Sequence, residues 1–446
     1  MTKPEITRGE RRAGSSFGLR PSLVTGGALA IRHSQPAGHS SLPDWAAARA
    51  RMHLDPAVAM LNTGSFGPLP KPVFDRVTDL RRQLAAGPTD FFVRRLPPLL
   101  WHARERLAGF LGTAPHRLVF TANVSAAINL VASGLRLASP GEVLLTDHEY
   151  GAMHWCWERA CQRQGLTLRT FPLPTLPRDP GEVVAAAVRA LSPRTRLFFF
   201  SHVLSPTGLV LPARELCAEA RRRGIVTLVD GAHAPAMIPL DVSAVGADFY
   251  AGNCHKWLLA PTGAGFLVVG PGNEDRLEPL QVSWGYRPDK YPLGEPAAAP
   301  GPDDRDAYGS TPRVRFLEFE GTRDVCPWLA VPEAIDFQAA LGWERIRGRV
   351  AELAAYTRGA IGERLGLKLA TPAVPGLHGA MTAFELPAGA RAGELRRKLW
   401  DARVEVPVVE RPDRLLVRVS HHFYTTEAEI DRLAEVLGGE RGASAP

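Results

Sequence analysis

A chain of 446 residues, 45% hydrophobic and 22% charged, is long enough for two or three packed domains and has the composition of a soluble globular protein. Its five cysteines, Cys156, Cys161, Cys217, Cys254 and Cys326, form no CxxC pair, which argues against a disulfide framework or a structural zinc site and for a reducing cytoplasm; no apolar run approaches the ~20 residues of a membrane span. The formal charge of +7 invites a nucleic-acid reading, but Lys3, Arg8, Arg11, Arg12, Arg20 and Arg32 against only Glu5 and Glu10 concentrate much of it in the first 34 residues, so neither nucleic acid nor membrane is the expected partner.

Taken in order, residues 1–42 read as a flexible basic extension. Structure is expected from Pro43, with a helical pattern over Trp45–Met52. The run Leu61, Asn62, Thr63, Gly64, Ser65, Phe66, Gly67, Pro68 is dense in glycine and predicts a tight loop. Residues 71–111 read as helices. Leu118–Thr121 is a short strand, and Ala122, Asn123, Val124, Ser125 open the next helix, where free backbone N–H groups favour an anion; Ser125 would equally serve as an ordinary helix cap. Strands follow at Glu142–Thr146, Leu166–Phe171 and Arg196–Val203. The first of these leads into Asp147, His148, Glu149, Tyr150, with Tyr150 either a stacking ring or packed with Trp155 and Trp157.

The chemistry concentrates between Ile225 and Gly270. An apolar strand, Ile225–Val229, stops at Asp230, Gly231, Ala232, His233, and a second, Ala247–Tyr250, leads to Asn253, Cys254, His255, Lys256, Trp257 before a third at Phe266–Val269. If the first two are parallel, joined by a helical turn at Val242–Val245, Asp230 and Lys256 emerge at one carboxyl edge, where open α/β sheets bind ligands. An acid and a lysine there suit a pyridoxal phosphate Schiff base: the amine forms the imine and the carboxylate keeps the pyridine nitrogen protonated. A charge pair at ~4 Å and an effective dielectric of about 20 is worth roughly 4 kcal/mol before desolvation, enough to hold that proton near neutral pH. Either residue alone would be an ordinary loop acid or surface lysine; the whole string is what carries the reading.

That string resembles the signature of fold-type I pyridoxal phosphate enzymes of the class V aminotransferase group, in the isopenicillin N epimerase-like branch. The resemblance implies an α/β fold with a mostly parallel seven-stranded sheet in a large domain and a smaller α+β C-terminal domain. The expected boundaries are 43–75 for a segment packing on the small domain, 76–325 for the large cofactor-binding domain with a long loop or lid at 286–313, and 326–440 for the small domain. It also implies catalytic roles for Lys256 and Asp230. The phosphate would be cradled by Asn123, Val124 and Ser125, the ring stacked by Tyr150, and its phenolic oxygen met by Ser205 and His233. Asn253 and His255 join the cofactor-binding set. Thr322, in Phe319–Asp324, would reach the neighbouring subunit's site and so imply a homodimer. Ser65 and Phe66 would lie on the substrate side; relatives carry a histidine where this chain has Thr63. Arg418 sits in the apolar strand Arg414–Ser420 and needs an anion, which the family role makes the substrate α-carboxylate. No metal is expected.

The expected partner is therefore a small amino-acid substrate held as its imine. A desulfurase needs a mobile cysteine shortly before the carboxylate-binding arginine, and the sequence has no cysteine after Cys326. The first expectation is β-elimination of the carbon–sulfur lyase type, or related α-carbon chemistry, on a bulky amino acid or cysteine conjugate in natural-product metabolism. Epimerisation and aminotransfer are the alternatives. An inactive scaffold of this fold would be expected to lose Lys256 or Asp230, and both are present.

Overall fold

In a computed structural model, residues 44–286, 305–306 and 308–442 are described. The basic extension and much of the expected 286–313 loop lie outside them. Seven strands form the main sheet: β1 (Leu118–Thr121), β2 (Glu142–Thr146), β3 (Thr167–Phe171), β4 (Thr195–Ser201), β5 (Val226–Gly231), β6 (Phe249–Asn253) and β7 (Gly265–Val269). Their order is β1-β7-β6-β5-β4-β2-β3. Strands β2 to β6 pair in parallel, while β7 runs antiparallel to both β1 and β6. The inner parallel strands read as largely apolar runs because both faces are buried, whereas the edge strand β3 is mostly exposed or half-buried. Strand period 2 divides them: Leu144, Phe198, Phe200, Val229 and Tyr250 enter one core, and Val143, Leu145, Leu197, Phe199, Leu228 and Phe249 the other. The mostly parallel seven-stranded sheet is the α/β architecture expected.

Element ends moved by a few residues. The strand expected to run to Val203 stops at Ser201, because Val203 leaves the sheet to bridge Val210. The helical region from 71 breaks at Gly87 and resumes at Pro88, continuing to Leu111. Helix α1 (Val124–Gly134) is capped by Asn123, whose side chain accepts from Ala126 N, so Ser125 is not the cap. Helix α2 (Gly151–Gln164) begins directly after Tyr150. Beyond it, β8 (Met381–Glu385), β9 (Val408–Glu410) and β10 (Leu415–Ser420) make an antiparallel sheet in the order β9-β10-β8. The N-terminal segment joins this part of the chain: Ala59–Met60 pairs with Val404–Glu405, and Asn62 bridges Ser420. These pairings carry the glycine loop from the small sheet to the edge of the large one.

Candidate active site

The carboxyl ends of the parallel strands converge on a cavity of about 450 Å3. Its lining includes thirteen of the fourteen expected site residues: Ser65, Phe66, Asn123, Val124, Ser125, Tyr150, Ser205, Asp230, His233, Asn253, His255, Lys256 and Arg418. Thr322 is the exception. It is exposed and borders a second, largely apolar cavity with Phe92, Leu100, Phe319 and Trp328.

Asp230 is placed by register, lying in β5 beside Ser201 of β4 and Ala251 of β6. Its Oδ1 accepts from Ala232 N at 2.8 Å. Burial pushes its pKa up, against the opposing pull of that backbone N–H and of Lys256. Lys256 leaves β6 three residues beyond its end and keeps partial exposure where it lines the cavity. Desolvation pulls its amine down to about 8; Asp230 resists the shift and Arg418 adds to it. Its Nζ lies 3.2 Å from His233 Nε2, and His233 Nδ1 accepts from the Trp257 indole N–H at 3.3 Å. Burial, more than its Lys256 neighbour, likewise pulls His255 down to about 4, so it stands neutral near pH 7.

At the helix start, the Asn253 side-chain oxygen accepts from Val124 N at 2.8 Å, tying β6 to α1. Two close approaches require glycine here. A Cβ on Gly265 would stand 2.6 Å from the Asn123 Cα, and one on Gly67 would stand 2.2 Å from the Lys256 carbonyl oxygen. Gly67 N donates to His255 O, so the glycine loop is stitched to the lysine turn.

Arg418 is buried in β10. It donates through Nη1 to Ser205 O at 2.7 Å and Ser205 Oγ at 3.0 Å, and through Nη2 to Asn62 Oδ1 at 3.4 Å. Its Nε has no hydrogen-bond partner, and it pairs with no carboxylate, among the described residues. Burial lowers its pKa to about 10. Its contact with the N-terminal segment is a neutral one, to Asn62. Ser205 faces the guanidinium as well as the cavity.

Tyr150 is exposed and borders the cavity, whereas Trp157 is buried and Trp155 exposed, so the three do not form one packed cluster. Sequence reasoning missed Glu149. Its carboxylate accepts from Ser201 N, Ser201 Oγ and Thr146 Oγ1. Desolvation, aided by nearby Asp230, pushes it up to about 7. His421 and His422 are both buried; His421 meets Thr357 and Ala380 O, and His422 meets Trp257 O.

The donor set fits pyridoxal phosphate. A buried acid, a lysine with a depressed pKa, a capped helix start and a cation without a counter-ion face one cavity, and His255 Nδ1 is buried with no partner among the described residues. The fold and this edge define a pyridoxal phosphate-dependent enzyme of fold-type I. The chain belongs to the aminotransferase class-V family, whose model matches residues 68–433. It is 58% identical over 403 residues to isopenicillin N epimerase of Streptomyces clavuligerus, covering 90% of this chain and 100% of that protein. It is 60% identical over 397 residues to isopenicillin N epimerase of Amycolatopsis lactamdurans, covering 88% and 98%. A solved structure of a C-DES variant with glycine covalently linked to its pyridoxal phosphate shares the fold, with a TM-score of 0.73 at 23% identity over 85% of this chain and 96% of that one. No described helix is long and apolar enough to cross a membrane.

Proposed function

We propose that this enzyme inverts the α-carbon of an amino-acid substrate, with isopenicillin N as the substrate. The observation that carries the reading is identity of 58–60% with isopenicillin N epimerases over nearly the whole of both chains. Pyridoxal phosphate, when bound, supplies the electron sink that acidifies the α-carbon. Lys256 would anchor the cofactor and serve as the general base for the α-proton; its depressed pKa raises the fraction of free amine near neutrality above that of an ordinary lysine. Asp230 would keep the cofactor's ring nitrogen protonated. Asn123, Val124 and Ser125 at the helix start would cradle the phosphate, Asn253 and His255 would line the cofactor cavity, and Tyr150 would cover the ring. Arg418 binds the substrate carboxylate through parallel hydrogen bonds, while Ser65 and Phe66 border the substrate. Inversion follows when a proton returns to the opposite face of the same carbon.

Loss of a β-substituent after the same proton removal would make the enzyme a lyase, the outcome expected first from the sequence. Epimerisation is preferred because the high-identity relatives are epimerases. We also propose that two copies pair so that Thr322 serves the partner's site, since it is exposed at a cavity apart from its own Lys256. The five cysteines, all free, support a cytoplasmic home.

The test is incubation of the holoenzyme with isopenicillin N in deuterated water. The expected result is solvent deuterium at one α-carbon together with the opposite epimer. Parallel reactions with cysteine conjugates follow pyruvate and thiol. Release of these without inversion of isopenicillin N would replace the epimerase reading with the lyase one.

A further inference from the structure

Trp257 follows the lysine, and its indole, packed in the core, also makes a polar contact that space-filling alone would not require. It is buried, and its Nε1–H donates to His233 Nδ1 at 3.3 Å. An indole nitrogen can only donate, so Nδ1 must present a bare lone pair. A neutral imidazole has one N–H, which then sits on Nε2. The doubly protonated ring would set N–H against N–H, and burial with Lys256, Arg418 and His255 nearby disfavours that form strongly. The Nε2 atom lies 3.2 Å from Lys256 Nζ. The contact is a hydrogen bond only if Nε2–H donates and the amine accepts as a free base.

The indole's aim is itself held. The Trp257 carbonyl accepts from Gln338 Nε2 at 3.0 Å and lies 3.1 Å from His422 Nε2. His422 Nδ1 accepts from Phe423 N at 2.9 Å, so by the same reasoning its Nε2 carries the proton and donates to that carbonyl. The His422 ring also stacks over the indole, with centroids 6.3 Å apart and planes 19° from parallel. Two residues on, Leu259 holds a left-handed φ of 60°, a conformation tolerated where surroundings over-determine the turn. The C-terminal part of the chain thus clamps the turn that carries the lysine.

We propose that Trp257 is a positioning residue that fixes His233 in the Nε2–H tautomer, so that His233 faces Lys256 and the cofactor only as a hydrogen-bond donor. The inference rests on Lys256 as the cofactor's anchor and not on epimerisation. Once Nζ is committed to the cofactor, the same N–H is available to an acceptor oxygen in the cavity and cannot take a proton from it.

The test uses holoenzyme and cofactor-free protein labelled with 15N at histidine, without substrate, so that its result is separate from the outcome of the reaction assay. Two-bond proton–nitrogen correlations identify the bare and protonated ring nitrogens, and loss of one set in a His233→Asn variant assigns it. The wild type is expected to show bare Nδ1 and protonated Nε2. Trp257→Phe keeps the ring and removes the donor; the Nε2–H preference is expected to fall about fivefold, the worth of one ordinary hydrogen bond, and the cofactor's dissociation constant to rise by a similar factor. A wild-type proton on Nδ1 overturns the proposal whether or not the variant folds. An unchanged tautomer in a folded Trp257→Phe overturns it equally, because a packing role alone would change melting and leave the proton where it was.

Discussion

Replacing Arg418 probes the substrate end of the cavity most directly. Its guanidinium stands at about 10 against an ordinary 12.5. At ~1.4 kcal/mol per pH unit, burial costs the charged form roughly 3 kcal/mol. For a cation with a depressed folded pKa, that cost is fully present below about 10 and lifts only as pH rises toward 12.5, so it is in force at any physiological pH. Hydrogen bonds to Ser205 and Asn62 offset part of it, and a substrate carboxylate would offset the rest. Arg418→Lys keeps the charge but loses the planar fork. Losing one charged hydrogen bond of ~1.5–3 kcal/mol should weaken carboxylate binding roughly 10- to 150-fold. Arg418→Met removes cost and bonds together, and its ligand-free melting temperature should stay within a few degrees of wild type. The assay is titration of the holoenzyme's visible cofactor band with substrate, beside thermal melts without it. Binding by Arg418→Lys within twofold of wild type would refute the carboxylate assignment; collapse of the ligand-free melt in Arg418→Met would make the arginine structural.

Asp230→Asn removes a charge pair worth roughly 4 kcal/mol at ~4 Å, so turnover should fall by about two to three orders of magnitude while the cofactor still binds, measured by single-turnover kinetics and absorbance. Glu149, raised to about 7, favours the folded protein while protonated; that advantage is lost as pH rises from about 4.5 through 7. Melts against pH should therefore show wild type losing stability over that window relative to Glu149→Gln, and parallel curves would contradict the burial argument. Gly67→Ala drives a Cβ to 2.2 Å from the Lys256 carbonyl, and backbone movement there should cost about 1–3 kcal/mol in denaturant unfolding and weaken cofactor retention.

The sequence alone determined the strand-forming runs and the chemical string. Apolar segments such as Leu197–Phe200 end in polar residues because parallel strands bury both faces and surface only at their tips. That periodicity is local, so Asp230, Asn253, His255 and Lys256 could be singled out without knowing what lay beside them. Strand ends near Val203 and the helix break at Gly87 were less legible, since pairing partners far along the chain decide where a ladder stops.

What only tertiary structure decided was which distant groups meet. Arg418 is separated from Ser205 by 213 positions, yet their contact sets its charge environment. His422 reaches Trp257 across 165 positions and through it His233. Glu149 reads as one more polar residue beside a tyrosine until β4 brings Ser201 against it. Hydrogen bonds and desolvation depend on three-dimensional neighbours, and residue type and spacing carry no record of them.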